Sequence, residues 1–198
     1  MEKMSSMWLR VRLSARNFLE DCRGIAATEF AVIVPIMLVM FFGVVEFSSG
    51  VAVDRKVTLV ARTLSDLTSQ SISVSDNDLT NFFTASNAIL TPYSATPTQS
   101  TITELHIDKV SLAARVQWSK GSAPRTAGSI VAIPAALAVS DTYVIFSEVS
   151  YTYVPTIGYV MAKTGVNLSD VAYTRPRQAT CVIYPTPTSG SLPACPTL

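Results

Sequence analysis

The sequence predicts an α+β protein: a long N-terminal helix, apolar in its first half, followed by a short helix and a small antiparallel β-sheet. Three observations carry this. From Ala31 to Val45 no residue has a polar side chain. Beyond Gly50, apolar residues recur at helical spacing up to Leu67. From Thr101 onward the pattern changes to alternation with period two, rich in Thr, Val, Ile and Tyr. A helix beside such a sheet is an α+β arrangement.

Residues 1–24 read as a basic leader. They carry Lys3, Arg10, Arg12, Arg16 and Arg23 against Glu2, Glu20 and Asp21, and the positive-inside rule puts them in the cytoplasm. Residues 25–45 then form a transmembrane helix. Counted from Ala26, about 20 residues interrupted only by Thr28 and Glu29 cover the roughly 30 Å hydrocarbon core of a bilayer. Glu29 does not prevent insertion: a central charge costs about 2.5 to 3.5 kcal/mol, each Leu, Ile, Phe or Val returns about 0.3 to 0.6, and Glu29 lies near one end. Pro35 removes one backbone hydrogen bond and predicts a kink. A cleavable secretory signal begins in the same way, but Glu46 follows the apolar run directly and Phe47-Ser48-Ser49-Gly50 offers no good small-x-small cleavage site.

Residues 46–70 extend the same helix. Val53, Val57, Val60, Ala61, Leu64 and Leu67 form one apolar stripe, with Asp54, Arg55, Lys56, Arg62 and Asp66 elsewhere on the cylinder. The stripe has to lie on something, either the chain's own domain or a neighbour's helix.

Residues 71–198 read as a domain on the far side of the membrane. Ser75 or Asp76 can cap a short helix with Leu79, Phe82, Phe83, Ala85, Ser86, Ile89 and Leu90 inward, and Pro92 ends it. Strands are expected over Thr101–Val110, Leu112–Ser119 with Val116 and Trp118 on one face, Ile130–Val139, and Thr142–Val154. A last strand falls on either Asn167–Thr174 or Ala179–Tyr184. In Thr142–Val154, Tyr143, Ile145, Val149, Tyr151 and Tyr153 share one face. That face is either packed under the helix or a binding strip, and packing explains it as well with fewer demands.

A formal charge of +1 and only 15% charged residues argue against a nucleic-acid partner, which needs a basic stripe. The single histidine, His106, has Glu104 and Asp108 two places to either side. Their spacing of about 6.6 Å per pair is too wide for one metal ion, so a solvated polar face is expected. No phosphate loop, nucleophile elbow or CxxC occurs, so no catalytic residue, metal or cofactor is expected and the chain does not read as an enzyme. Cys22 belongs to the leader. Cys181 and Cys195 remain as a pair around a proline-rich loop. Either they form a disulfide outside the cytoplasm, worth roughly 3 kcal/mol in the chain-entropy model, or they are two free thiols.

Arg23-Gly24, four small or apolar residues, Glu29 and then a long apolar helix resemble the class III signal of type IV prepilins and pseudopilins. That resemblance implies a cut between Gly24 and Ile25 by a prepilin peptidase, after which Glu29 pairs with the new terminal ammonium of a neighbouring subunit. The other reading of Glu29 is a side chain that reaches into the headgroups. The run Glu29-Phe30, Pro35, Gly43, Glu46-Phe47 and Lys56-Val-Thr-Leu-Val-Ala-Arg-Thr-Leu-Ser-Asp-Leu67 further resembles the TadE-like proteins of tight-adherence (Flp-type) pilus systems. The resemblance implies a pilin-like fold and a role in pilus assembly and surface adhesion. It also implies an inner-membrane location with the domain periplasmic, and as partners a prepilin peptidase, other pilins or pseudopilins, the Tad platform proteins and a secretion ATPase. Phe30 stands where the short major pilins have Tyr, and the chain is far longer than those, which implies a minor or assembly role. The competing expectation is a permanently anchored periplasmic binding or adhesin domain with an uncleaved signal anchor.

Overall fold

A computed structural model describes residues 23–155, 165–188 and 191–197. The leader, including Cys22, lies outside the described residues. The chain divides into two units, Met1–Val45 and Glu46–Leu198.

Helix α1, Arg23–Ser69, continues through Pro35. In the first unit every residue from Gly24 to Val45 is exposed except the half-buried Val34 and Gly43. Phe30 is 68% and Met40 66% exposed. This helix is long and apolar enough to cross a membrane.

In the second unit the rest of α1 lies on a five-stranded antiparallel sheet. The strands are β1 (Thr98–Ile107), β2 (Ala114–Gly121), β3 (Ile130–Val131), β4 (Thr142–Tyr153) and β5 (Val166–Thr174), in the order β3-β2-β1-β4-β5. The expected stripe is the core: Val53, Val57, Val60, Ala61 and Leu64 are buried with Ile102, Ile145, Val149, Tyr151 and Tyr153, while Leu67 is half-buried. Polar groups tie the helix to the strands. The Ser147 hydroxyl donates to Ala61 O at 2.7 Å, and that of Ser65 donates to Thr174 Oγ1 at 2.8 Å. On the opposite face Leu105, Ile107, Val116, Val131, Val144 and Phe146 form a smaller second core.

Helix α2, Asp76–Asn87, starts at Ser75. Its hydroxyl accepts from Asp78 N while the Asp78 carboxylate accepts from Ser75 N, a reciprocal cap. Leu79 and Ser86 are buried as expected, but Ala85 is exposed, because it lies about 100° round the helix from Ser86, off the inward face; α2 then gives way to a 3₁₀ turn, Ala88–Leu90. Lys56 Nζ donates to Ile89 O and Thr91 O, both at 2.8 Å, satisfying carbonyls that the end of this turn leaves open.

Three strand expectations need correction, and one open choice is resolved. β1 stops at Ile107 rather than Val110, because the Asp108 carboxylate accepts from Val110 N, Ser111 N and the Ser111 hydroxyl and so builds a turn. These donors hold its pKa well down, at about 2. Val116 and Trp118 do not share a face. Pairing shifts between Glu104↔Trp118 and Leu105↔Val116, so Gln117 is an extra residue in β2 and Trp118 turns to the helix side. Ile130–Val139 contributes only a two-residue strand, since Pro134, which has no N–H to offer a ladder, leads into a 3₁₀ turn at Ala135–Leu137. Of the two candidates for the last strand, Asn167–Thr174 is β5. The other makes a single bridge, Ser73↔Ile183. β2 runs on to Gly121 at φ +136°, where a Cβ would lie 2.6 Å from Thr101 Cα, so only glycine lets the two strands approach there.

Candidate functional site

The residues expected to govern processing and assembly stand in the first two turns of α1. Gly24, Ile25, Glu29 and Phe30 are all exposed. Ile25 and Glu29 are one turn apart and share a face of the cylinder. The Thr28 hydroxyl donates back to Ile25 O at 2.8 Å. A Cβ at Gly24 would meet nothing within 4 Å, so packing within the described chain gives no reason for glycine there.

A second carboxylate behaves in the opposite way, and sequence reasoning missed it. Glu104 was expected on a solvated face; it is 0% exposed, and His106 beside it is buried too. Only Asp108 of the expected trio is partly open. The face was misassigned because its cover comes from far along the chain. Glu104 Oε1 accepts from Val182 N at 2.6 Å and Oε2 from Trp118 Nε1 at 2.8 Å, while Trp118 Nε1 also donates to Val182 O at 2.8 Å. Burial pushes the Glu104 pKa up to about 7, against the lowering effect of the Val182 and Trp118 donors. No sequence signal marked this cluster: the bulge at Gln117 that turns Trp118 toward Glu104 is visible only in the strand pairing.

The segment over Glu104 is fastened on several sides. Cys181 and Cys195 form a disulfide with Cα atoms 5.8 Å apart. Ile183 N donates to Ile72 O, Val74 N to Ile183 O and Thr186 N to Val74 O, so the tail pairs with the α1–α2 connection. Tyr143 donates from its hydroxyl to Pro196 O at 2.8 Å, and its ring lies 4.7 Å from that of His106. Tyr143, Tyr151 and Tyr153 are all buried, which makes this face a packed one. Among the described residues no group of three or more His, Cys, Asp or Glu is placed to hold a metal ion.

The described chain is thus an apolar helix of bilayer-spanning length continued into an α+β domain, in which the buried Glu104 carboxylate is held by Val182 and Trp118. Residues 24–64 match the family described as TadE-like protein. The family implies a component associated with the Tad pilus. No curated protein matches the chain, and no solved structure does.

Proposed function

We propose that the chain is a pseudopilin-type subunit that helps start or support assembly of a Tad/Flp-type pilus. Residues 25–45 hold it in the inner membrane, residues 71–198 lie in the periplasm, and a prepilin peptidase removes residues 1–24 after Gly24. The observation that carries this reading is the exposed pair Ile25 and Glu29 on one face of an exposed apolar helix, within the stretch that matches the family. Cutting before Ile25 creates an ammonium. In a low-dielectric environment an ammonium and a carboxylate attract strongly, and each is unfavourable alone. Pairing Glu29 with the ammonium of another pilin neutralises both, so assembly is favoured over the dispersed, inserted subunits. Adhesion to surfaces follows from the pilus itself.

The test is the N-terminal residue and mass of the protein purified from its native membrane, with and without reductant. A chain beginning at Ile25 is expected, heavier after reduction by the hydrogens that a broken disulfide takes up. In a chromosomal replacement, Glu29→Ala is expected to abolish or sharply reduce piliation while leaving membrane insertion intact. A start at Met1 together with normal piliation in the variant would favour a permanently anchored periplasmic binding or adhesin domain.

A further inference from the structure

The sheet ends on unequal edges. β3 offers two residues, Ile130–Val131, whereas β5 offers nine, Val166–Thr174, about 26 Å of strand at 3.3 Å per residue. β5 is paired on one side with β4 from Ile145↔Thr174 to Tyr153↔Val166, and no described residue pairs with its other side. Its Val171 N–H is instead taken by the carboxylate of the adjacent Asp170 at 2.8 Å. A long bare edge is a template for another strand.

Three hollows reach this edge. On the helix side, one of about 210 Å³ lies between Phe47, Val51 and Tyr153 and the Val166–Leu168 end of β5. Another of about 590 Å³ lies between Arg62, Asp66 and Arg177 and the Ala172–Thr174 end. A third, about 470 Å³, lies over the opposite face of the sheet, from Gln99 and Thr101 of β1 across Glu148 to Ser169 and Val171 of β5, and so reaches the edge only at its β5 end. Side chains of an added strand alternate between the two faces, and those on the helix side meet the two hollows between α1 and β5. The helix-side hollows differ in chemistry. Phe47 and Val51 leave apolar surface at one end. At the other, Arg177 is bound to Asp66 at 2.6 Å, while Arg62 has no ion-pair partner among the described residues and Arg175 is exposed just beyond the strand.

We propose that the outer edge of β5 takes an extended segment of a different polypeptide as a sixth strand, with an apolar side chain beside Phe47 and Val51 and a carboxylate beside Arg62. A second copy of this chain is a poor occupant. Full-length antiparallel self-pairing of Val166–Thr174 sets Asp170, its central residue, directly against Asp170 of the other copy, and like charges so placed repel. This inference does not rest on the pilus reading, because it concerns the second unit alone.

The test uses the full chain in lipid nanodiscs and nine-residue peptides of alternating Val and Thr. One pair carries Glu at its first or its last position, so that both strand directions are sampled. A second pair carries Lys there, and a control has Pro at alternate positions. Amide hydrogen exchange over β5 reports binding. The Glu peptides are expected to slow it and to bind about fivefold more tightly than the Lys peptides, the effect of about 1 kcal/mol from one exposed charge pair. The Pro control is expected to do nothing, and Arg62→Glu, on the solvent side of α1, to reverse the preference. The proposal is overturned if no peptide slows β5 exchange, if Glu and Lys peptides bind alike, or if β5 is protected by raising the concentration of the chain itself.

Discussion

Between Gly24 and Val45 the large side chains of α1 stand exposed, whereas from Val53 to Leu64 its apolar stripe is fully covered by the chain's own sheet. One helix therefore satisfies the same physical demand in two ways. Each large apolar side chain left in water forgoes about 1.5 to 3 kcal/mol. The second half of α1 recovers this from β1 and β4, while the first half needs an apolar surrounding that the described chain does not supply. Apolar content alone does not distinguish the halves. What distinguishes them is arrangement: apolar all round in the first, confined to one stripe in the second.

That contrast can be broken by one substitution made twice. Val57→Asp buries an unpaired carboxylate in the core and is expected to destabilise the domain by about 4 kcal/mol or more, read as a collapse of its thermal transition. Met40→Asp is expected to leave that transition in place and to act on membrane insertion, by about 3 kcal/mol on insertion scales, read as the fraction of chain recovered in membranes. Equal loss of the thermal transition in both variants would erase the distinction.

The next effect separates the two carboxylates. Unfolded, Glu104 gives up its proton near the ordinary value of 4.5; folded, it holds it to about 7. Between those values folding takes up a proton, so stability falls as pH rises through the window, by up to about 3 kcal/mol for this group. Thermal unfolding of the wild type is expected to move to lower temperature from pH 5 to pH 8. Glu104→Gln is expected to flatten that dependence, and an unchanged slope in the variant would remove Glu104 as its source. Smaller again is the cap of α2: Ser75→Ala should lower stability by about 1 kcal/mol, measured by denaturant titration, with Ser75→Asn restoring most of it.

Sequence reading succeeded where the determinants are local. The stripe from Val53 to Leu64, the cap at Ser75, and the two faces of β4 follow from spacing and side-chain type. It failed where a distant segment decides. Glu104 and His106 carry the polar alternation of a wet strand, and only Cys181–Tyr184, nearly eighty positions later, makes their side of the sheet dry. Gln117 slips β2 by one residue without any unusual composition, so Trp118 changed faces unannounced. Gly24 and Glu29 were readable as a motif, yet their exposure in α1 shows that nothing else within the described chain calls for them.

The hydrogen bond from Ser65 to Thr174 spans 109 positions. At synthesis rates of about 5 to 20 residues per second, the helix that carries Ser65 precedes its partner strand by roughly 5 to 20 s. For that interval Val57, Val60 and Leu64 have no sheet to cover them, and the bridge that fastens the tail cannot close until Cys195 has been made. Until then the cost of exposure falls on one stripe of one helix, and the last part of the chain to be made is the part that closes it.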